Sequence, residues 1–410
     1  MNPALLGLIT IVVGVGGCLG YFYFSNLVLD RYIFPATGPQ AGRNINRANM
    51  VRPWLFLAPA IFALGLYLGY PVFETLRLSF TTRLPTGGSE WAGLANYQQM
   101  MSEPKFWEAM RNNMLWLIVV PAAATAFGLL SAQLTDRISW GNAAKSIIFM
   151  PMAISFVGAS VIFKLIYDAR DAEVAQIGIL NALWVRFDGG VGSVLWLKVV
   201  PSLVVLGFAA VTAYVVYTLI RRVMQGRSGA LGVALRVLGA VGGVWLLWQS
   251  ALGLLGIWTA TLPYGEPQQW LTLPFYNNFF LMAVLIWIQT GFAMVILSAA
   301  IRGIPEDTVE AAVVDGANPF QIFFQIKVPQ IMGTIVVVWT TITLVVLKVF
   351  DIVFAMTNGQ WETQVLANYM YDKLFRANDW GVGSASAIVI MLLVSPILVW
   401  NVYNARKEMR

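Results

Sequence analysis

Residues 277–300 read NNFFLMAVLIWIQTGFAMVILSAA, a run of 24 residues without a charged side chain. About 20 apolar residues are enough for an α-helix to cross the hydrocarbon core of a bilayer. The whole chain has this character, because 58% of its 410 residues are hydrophobic and only 11% are charged. A soluble domain carries roughly 25% charged residues. The sequence therefore predicts an all-α, polytopic membrane protein.

Similar apolar runs recur along the rest of the chain. They predict about nine transmembrane helices, near residues 3–27, 54–80, 112–134, 143–167, 197–220, 236–260, 277–300, 332–356 and 383–404. The first run has no basic segment before Leu5 and extends to about Leu27. Because that is longer than the apolar region of a cleaved signal peptide, we interpret it as an uncleaved first helix.

Basic residues are distributed unevenly among the loops between these runs. Alternate loops contain 15 of the 26 lysines and arginines: Arg31, Arg43, Arg47, Arg52, Arg137, Lys145, Arg221, Arg222, Arg227, Arg236, Arg302, Lys327, Arg406, Lys407 and Arg410. Loops rich in Lys and Arg remain in the cytoplasm. The distribution predicts an N-terminus outside the cytoplasm and a C-terminus inside it, and an odd number of spans satisfies both.

Composition disfavours several kinds of chemistry. The chain has no histidine, which excludes imidazole catalysis and histidine metal ligands, and its single cysteine, Cys18, cannot form an intrachain disulfide. The net charge of +6 is scattered among short loops, a distribution typical of membrane orientation and not of a nucleic-acid surface. No G-x-x-x-x-G-K-[ST] pattern occurs, so no ATP-binding loop is predicted in this chain.

The segment from Ile304 to Gln330 reads IPEDTVEAAVVDGANPFQIFFQIKVPQ and is predicted to be cytoplasmic. Pro305, Glu306 and Asp307 suit the first turn of a helix, and Gly316 occupies the position of a left-handed C-cap. Asn318, Pro319 and Gln321 then favour a second helix with a reciprocal cap. Two apolar stripes are predicted, Val309, Ala312 and Val313 on the first helix and Phe320, Phe323 and Phe324 on the second. The segment is thus a predicted helix–Gly–helix hairpin, which could be a simple connector or a helix recognised by a partner.

The spacing of this hairpin resembles the EAA loop of ABC-importer permeases. The matching positions are Glu310, Ala311, Ala312, Asp315, Gly316, Ala317, Phe323, Ile326 and Pro329, and Val328 replaces the usual leucine. The resemblance implies that the hairpin docks in a cleft of an ATPase subunit and transmits its closing motion to the membrane. Gly316 would set the bend, and Glu310 would be the main polar contact.

Other segments resemble the maltose-type, sugar-importing branch of these permeases, and α-glucoside or oligosaccharide importers most of all. Gly93-Leu94-Ala95-Asn96-Tyr97 is similar to the branch's GLxNY segment, and Thr357-Asn358-Gly359 to its T-x-GGP turn, although Gln360-Trp361 replaces Gly-Pro. Thr363, Tyr371, Phe375, Gly381, Gly383, Ser384, Ala385 and Ala387 match the lead-in to the last helix.

The resemblance implies a core of six helices and divides the chain into four parts. These are an extra N-terminal helix with a cytoplasmic linker (1–53), the first part of the core (54–186), a two-helix insert (187–263), and the second part of the core (264–410) with the EAA loop at 302–331. Two inserted spans leave the orientation of the core unchanged.

The resemblance also implies the partners. The chain would be a non-catalytic permease of the bacterial inner membrane, with a periplasmic N-terminus and a cytoplasmic C-terminus. A second permease would pair with it around the path, two ATPase subunits would bind ATP and Mg²⁺, and a periplasmic binding protein would deliver the sugar. No cofactor, metal or nucleic acid is expected to bind this chain. Surfaces that do not contact these partners would face membrane lipid.

Residues that could line the path are aromatic, amide or charged side chains within the predicted spans. The candidates are Asn113, Trp287, Gln289, Lys348, Phe350 and Asp351, and Lys348 and Asp351 are predicted to share one face of the helix at 332–356.

Two other classes of protein remain open from the residues alone. A secondary transporter coupled to an ion gradient should show intramembrane carboxylates and internal repeats, and the sequence shows few of the former and no clear repeat. A membrane-embedded glycosyl or acyl transferase should show a catalytic acid pair or nucleophile near one interface. Glu266 and the acids at 168–173 are predicted to lie outside the bilayer, but no spacing pairs them.

Overall fold

The computed structural model is helical throughout apart from one short hairpin of strands, and it describes residues 3–35, 37–38, 40–83, 88–136, 138–186, 190–225, 230–259 and 266–408. Three arginines used above to predict orientation, Arg137, Arg227 and Arg410, lie outside the described residues.

The elements follow one another in the order below. The helices are α1 Pro3–Val28, α2 Ala41–Leu64, α3 Tyr70–Ser79, α4 Ala95–Ser102, α5 Pro104–Thr135, α6 Gly141–Phe149, α7 Phe156–Ile166, α8 Ile179–Trp184, α9 Val191–Val194, α10 Val200–Met224, α11 Ala230–Thr259, α12 Tyr276–Arg302, α13 Glu306–Val314, α14 Pro319–Gln321, α15 Val328–Gln330, α16 Met332–Leu347, α17 Asp351–Met356, α18 Leu366–Tyr371 and α19 Trp380–Glu408. Strands β1 Thr81–Arg83 and β2 Ser89–Trp91 pair antiparallel, with Thr81 opposite Trp91. Several helices continue through π-helical turns, at Leu29–Ile33, Gly65–Gly69, Leu195–Val199, Ile322–Lys327 and Asp372–Arg376.

In the part of the chain that the structure describes, each of the nine predicted spans falls largely on helix. Six helical stretches are long and apolar enough to cross a bilayer: Leu5–Ile33, Ala41–Ser79, Pro104–Thr135, Val191–Met224, Gly232–Thr259 and Tyr276–Arg302. Two further ones are bent pairs, Gly141–Ala153 with Phe156–Ile166 and Pro319–Gln330 with Met332–Leu347. The ninth lies in α19, whose apolar part is the shorter stretch Trp380–Pro396.

Two of the spans predicted as continuous helices are broken. The run at 143–167 bends by 104° between Ala153 and Phe156. Pro151 lies in a 3₁₀ turn, Met150–Ala153, and Ser155 then adopts an extended conformation and caps α7 by accepting a hydrogen bond from the Gly158 N–H at 3.1 Å. A proline and an N-cap serine therefore end one helix and start the next.

The predicted span at 332–356 is likewise two helices. α16 ends at Leu347, and Phe350 has φ −136°, outside the helical region. Asp351 then opens α17, where a carboxylate is favourable at the positive end of the helix dipole. Periodicity did not reveal this break, because the residues on both sides are equally apolar.

The chain forms two compact units, of which the first comprises residues 1–103 and 370–392. In it α1 and α2 form a hairpin held by the Tyr21 hydroxyl, which donates to the Leu55 carbonyl at 2.9 Å, and by an Arg52–Asp30 ion pair at 2.7 Å. Elsewhere in this unit, Lys373 pairs with Glu103 at 2.5 Å.

The second unit comprises residues 104–369 and 393–410, and α12 is its central helix. α12 packs against α5 and α6 at positions where glycine lets the backbones approach. A Cβ on Gly128 would lie 2.4 Å from the Ala293 Cβ, and one on Gly291 would lie 2.5 Å from the Ile148 carbonyl oxygen. Fully buried side chains such as Trp116, Leu281 and Ile342 fill the core between α5, α12 and α16.

Helices α10 and α11 also pack against each other through a glycine. A Cβ on Gly243 would lie 2.3 Å from Val216 Cγ2. Near one end of the pair, the Trp258 indole N–H donates to Ser202 Oγ at 3.0 Å, and the Lys198 ammonium lies 5.9 Å from the centre of the Trp258 ring. The two helices thus form a closely packed hairpin whose other faces present apolar residues such as Leu203 and Leu238.

Candidate coupling hairpin and transport cleft

The segment between α12 and α16 is a helical hairpin with the predicted caps. Pro305, expected in the first turn of α13, instead precedes it as the N-cap with ψ 131°, and Glu306 and Asp307 fill the first turn. Gly316 has φ +82°, and the Ala317 N–H donates to the Ala312 carbonyl at 2.9 Å. This six-residue bond around a left-handed glycine is the Schellman ending of a helix.

The second helix begins as predicted. The Gln321 N–H donates to Asn318 Oδ1 at 2.9 Å, and the Asn318 N–H donates to Gln321 Oε1 at 2.8 Å, with Pro319 in the first turn. This reciprocal capping box fixes the direction in which the chain leaves Gly316. The hairpin therefore takes its shape from local hydrogen bonds and needs no partner to define it.

The side chains of the hairpin divide differently from the two predicted stripes. Ala312 and Ile322 are buried, and Val309, Ala317, Phe323 and Ile326 are half-buried. Glu310, Ala311, Asp315 and Pro329 are exposed. Four bulky apolar residues also point outward: Val313 is 58% exposed, Val314 86%, Phe320 75% and Phe324 61%. Of the six residues in the two predicted stripes, Val313, Phe320 and Phe324 are thus exposed, and the other three are buried or half-buried.

A half-buried ionic cluster, not anticipated from the sequence, anchors the end of α12 from which the hairpin leaves. Ser298 Oγ donates to Asp136 Oδ1 at 3.0 Å, and the Lys145 ammonium pairs with the same carboxylate. The Asp136 and Lys145 side chains are each only 15% exposed. The cluster joins the residue that follows α5, the middle of α6 and α12. Ser298 lies 162 residues from Asp136, so no local pattern could have shown the full cluster.

Both helix breaks of the second unit open into one cleft of about 420 Å³. It is lined by Met152, Ile154, Ser155, Phe156, Val157, Ile288, Gln289 and Asp351. Gln289 is 6% exposed, and within the described residues its amide has no hydrogen-bond partner. Asp351 is exposed at the N-terminus of α17. The cleft therefore combines apolar walls with an unpaired amide and a carboxylate, as ligand sites commonly do.

Lys348, Phe350 and Asp351 lie in the break between α16 and α17. Lys348 caps the end of α16, so the expectation that Lys348 and Asp351 share one face of a continuous helix was wrong. Among the described residues no ion pair joins them. All three line a small recess beside the cleft, and Phe350 stacks on Phe354 with ring centres 5.0 Å apart.

Trp287 and Asn113 lie away from the cleft. Trp287, two residues before Gln289 on α12, packs on Phe163 with ring centres 5.4 Å apart. Asn113 is fully buried and its Oδ1 accepts a hydrogen bond from the Leu366 N–H at 2.8 Å. The structure thus brings Gln289 and Asp351 together and separates the other two candidates from them.

Asn112, the residue before Asn113, and Asn277 hold a strained turn at residues 358–362 through their side-chain amides. Four of these residues have positive φ: Asn358 54°, Gly359 71°, Trp361 53° and Glu362 60°. Asn112 Nδ2 donates to the carbonyls of Glu362 and Gln364, both at 2.8 Å, and Asn277 Nδ2 donates to the Trp361 carbonyl at 2.5 Å. Three non-glycine residues in left-handed conformations cost roughly 1–3 kcal/mol each. The buried amides offset that cost.

In the first unit, two segments of the predicted resemblance lie together. Asn96, 4% exposed, donates through Nδ2 to the carbonyls of Ser79 at 2.9 Å and Thr81 at 3.0 Å. A Cβ on Gly381 would lie 2.6 Å from Asn96 Oδ1. The glycine at 381 thus allows α19 to approach the Asn96 side chain, and the two motifs have a structural reason for occurring together.

The chain is similar in sequence to known transport proteins. Residues 124–409 match the family model described as "Binding-protein-dependent transport system inner membrane component". The chain is 51% identical over 412 residues to the Alpha-glucoside transport system permease protein AglF of Rhizobium meliloti (strain 1021), covering 100% of this chain and 99% of that protein. It is 37% identical over 358 residues to the Osmoprotective compounds uptake permease protein GgtC of Synechocystis sp., covering 87% of this chain and 100% of that protein.

A solved structure shares the fold. It is a bacterial ABC transporter that imports the acidic polysaccharide alginate, and one of its chains matches with a TM-score of 0.59 and 17% identity, covering 90% of this chain and 100% of that chain. The all-α permease fold predicted from the sequence is thereby confirmed, and a secondary transporter or a membrane enzyme is excluded by the family. Because the family model and the first relative each cover most of the chain, the protein belongs to the family of inner-membrane permease components of binding-protein-dependent ABC importers.

Proposed function

We propose that this permease imports a sugar, an α-glucoside or another di- or oligosaccharide, delivered by a periplasmic binding protein and driven by ATP and Mg²⁺ bound to two separate ATPase subunits. A second permease subunit completes the path. The observation that carries the substrate class is the 51% identity to an α-glucoside permease across the full chain.

The cleft in the second unit supports a sugar as the transported molecule. Its apolar walls, Ile288 and Phe156, can contact the carbon faces of a sugar ring, and the Gln289 amide can both donate to and accept from hydroxyl groups. Asp351 adds a carboxylate that accepts hydroxyl hydrogen bonds. We therefore assign Gln289 and Asp351 to the path, with Lys348 and Phe350 beside them.

Replacing Gln289 with alanine should lower α-glucoside uptake about fivefold, because a hydrogen bond to the sugar contributes about 1 kcal/mol. The measurement is uptake of a radiolabelled α-linked disaccharide by proteoliposomes that contain the complete transporter and its binding protein. Gln98→Ala, at an exposed glutamine of α4, is the matched control and should leave uptake unchanged.

Two results would contradict different parts of the proposal. Normal α-glucoside uptake by Gln289→Ala would remove the cleft from the path and leave the substrate class intact. Failure of the unmodified complex to move any α-glucoside, with uptake of a charged or methylated osmoprotectant instead, would overturn the substrate class.

The coupling role belongs to the hairpin, with Glu310, Ala311, Ala312, Asp315, Gly316, Ala317, Phe323, Ile326 and Pro329 as its residues. The exposed side chains of the hairpin are apolar (Val313, Val314, Phe320 and Phe324) together with the charged Glu310, which suits an amphipathic segment entering a partner's groove. The fixed angle at Gly316 would let ATPase closure rotate α12 and α16 as they leave the hairpin, and so alternate the access of the path.

The proposed orientation places the N-terminus in the periplasm and the hairpin and C-terminus in the cytoplasm, as the distribution of basic residues indicates. It is testable with Asn318→Cys and Glu266→Cys, each in a Cys18→Ala background, because Cys18 is exposed in the structure. In intact cells a membrane-impermeant thiol reagent should label the cysteine at 266 and spare the one at 318. Labelling of position 318 with protection of 266 would reverse the topology.

A further inference from the structure

The segment after α1 and the first half of α2 carry uncompensated positive charge. Arg31, Arg43, Arg47 and Arg52 are the basic residues among the first 73, and Asp30 is the only acidic one. Asp30 is paired with Arg52, whose Nη2 lies 2.7 and 2.9 Å from the two Asp30 carboxylate oxygens. In the part of the chain that the structure describes, Arg31, Arg43 and Arg47 are exposed and have neither a hydrogen-bond nor an ion-pair partner.

Arg43 and Arg47 share one face of α2 with two apolar side chains. Residues four apart on a helix have Cβ atoms roughly 6 Å from each other, so the two guanidinium groups are neighbours and repel. Met50 and Trp54 continue the same face at the next helical spacings, and each is 69% exposed. We call these four residues the basic stripe. It is cationic at one end and apolar at the other.

The length of the helix fixes where the stripe meets the bilayer. The helical stretch Ala41–Ser79 has 39 residues. At 1.5 Å per residue it is about 58 Å long, whereas the hydrocarbon core is about 30 Å thick and takes about 20 residues. Counting back from Ser79 places Trp54 near the headgroup level, where tryptophan is enriched, and Arg43 and Arg47 beyond it. Since Leu5–Ile33 is also a span, the segment between the two emerges on one side of the membrane.

We propose that Arg43 and Arg47 bind the phosphate headgroup of an anionic phospholipid in the leaflet where α1 ends and α2 begins. Two neighbouring guanidinium groups match phosphate oxygens in planar, bidentate geometry and remain charged at any physiological pH. A bound phosphate also relieves the repulsion between them. Met50 and Trp54 lie toward the hydrocarbon, where they contact the glycerol and upper acyl chains, so the stripe fits an amphiphile better than a free anion.

The test compares lipids on the purified complex in detergent. Fluorescent phosphatidylglycerol should bind the unmodified protein at least tenfold more tightly than fluorescent phosphatidylcholine of the same chain length. Arg43→Gln with Arg47→Gln should weaken phosphatidylglycerol binding roughly thirtyfold. Each arginine near an anionic surface contributes a factor of about five to the affinity, and the two factors multiply. Arg43→Lys with Arg47→Lys keeps the charges that orient α2, and should lose only part of the affinity because lysine cannot bind phosphate in a fork.

The matched control is Arg221→Gln with Arg222→Gln. These arginines are also exposed, also lack described partners and also lie at the end of a spanning helix. They occupy the last turn of α10, where the helix dipole already favours positive charge, and no tryptophan follows them toward the bilayer. This variant should bind phosphatidylglycerol as the unmodified protein does.

Three results would overturn the proposal. Equal affinity for the two lipids in the unmodified protein would show that the stripe does not select an anionic headgroup. Equal losses in the two glutamine pairs would show that general surface charge attracts the lipid. Displacement of phosphatidylglycerol by millimolar inorganic phosphate, with unchanged binding in Trp54→Ala, would show a site for a free anion.

Discussion

Gly316→Val should reduce sugar-stimulated ATP hydrolysis at least tenfold, while the protein remains in the membrane. Gly316 has φ +82°, and no atom lies within 4 Å of the position that a Cβ would occupy, so the effect must come from the backbone and not from a clash. A left-handed conformation costs an L-residue about 1–2 kcal/mol, and a β-branched one more. Valine would therefore open the Schellman turn and change the angle between α13 and α14.

Two companion variants separate the angle of the hairpin from its contacts. Gly316→Asn should retain most activity, because asparagine tolerates the left-handed region. Glu310→Lys keeps the backbone and reverses an exposed charge, so it should weaken ATPase docking without altering the hairpin. ATPase assays measure the loss of coupling, and co-purification of the ATPase subunits measures the loss of docking. Full coupling in a well-expressed Gly316→Val complex would reduce the hairpin to a connector.

Asn112→Leu should lower the free energy of unfolding of the permease by about 2–3 kcal/mol. Asn112 is 1% exposed, and its amide donates to two backbone carbonyls at 2.8 Å, those of Glu362 and Gln364. Leucine has a similar volume but leaves both bonds unmade, and a buried polar group that loses its partner costs about 1–3 kcal/mol. The turn at 358–362 should then relax from its left-handed conformations.

The loss should appear as a lower thermal-unfolding midpoint in detergent. Asn142→Leu, at an exposed asparagine of α6, is the control and should change the midpoint little. Glu362→Gly, placed in the Asn112→Leu protein, should recover part of the stability, because glycine adopts the φ of +60° at this position without strain. Equal midpoints for Asn112→Leu and Asn142→Leu would show that the amide network does not support the turn.

The sequence predicted those features that depend on neighbours along the chain. Helix content follows from runs such as 277–300, and the bend and caps of the hairpin follow from Gly316, Asn318 and Gln321, because a cap is made by residues within three or four positions. These local rules hold without knowledge of packing. The resemblance to the permease family was first seen in the same hairpin, and three other segments agreed with it.

The remaining features depend on residues that are distant in sequence. The breaks before Phe156 and after Leu347 lie within apolar runs, so hydropathy alone joins what the structure separates. The Asp136–Lys145–Ser298 cluster and the contacts of Asn112 join positions 162 and 250 residues apart, and no spacing rule reaches so far. Gln289 and Asn113 were both suggested for the path because an amide is unusual inside a span. Gln289 lines the cleft, and its role in the path stays a prediction, whereas Asn113 accepts a backbone hydrogen bond in the core.

The exposed side chains of the hairpin have a consequence for how the importer is assembled in the cell. Val314 and Phe320, 86% and 75% exposed, lie in the aqueous phase on the proposed orientation and not in lipid. Apolar surface of this kind, left uncovered by its partner, is the feature that promotes aggregation and recognition by quality-control proteases. On the proposed docking of the ATPase at this hairpin, we expect a permease inserted without its ATPase to be degraded faster than an assembled one.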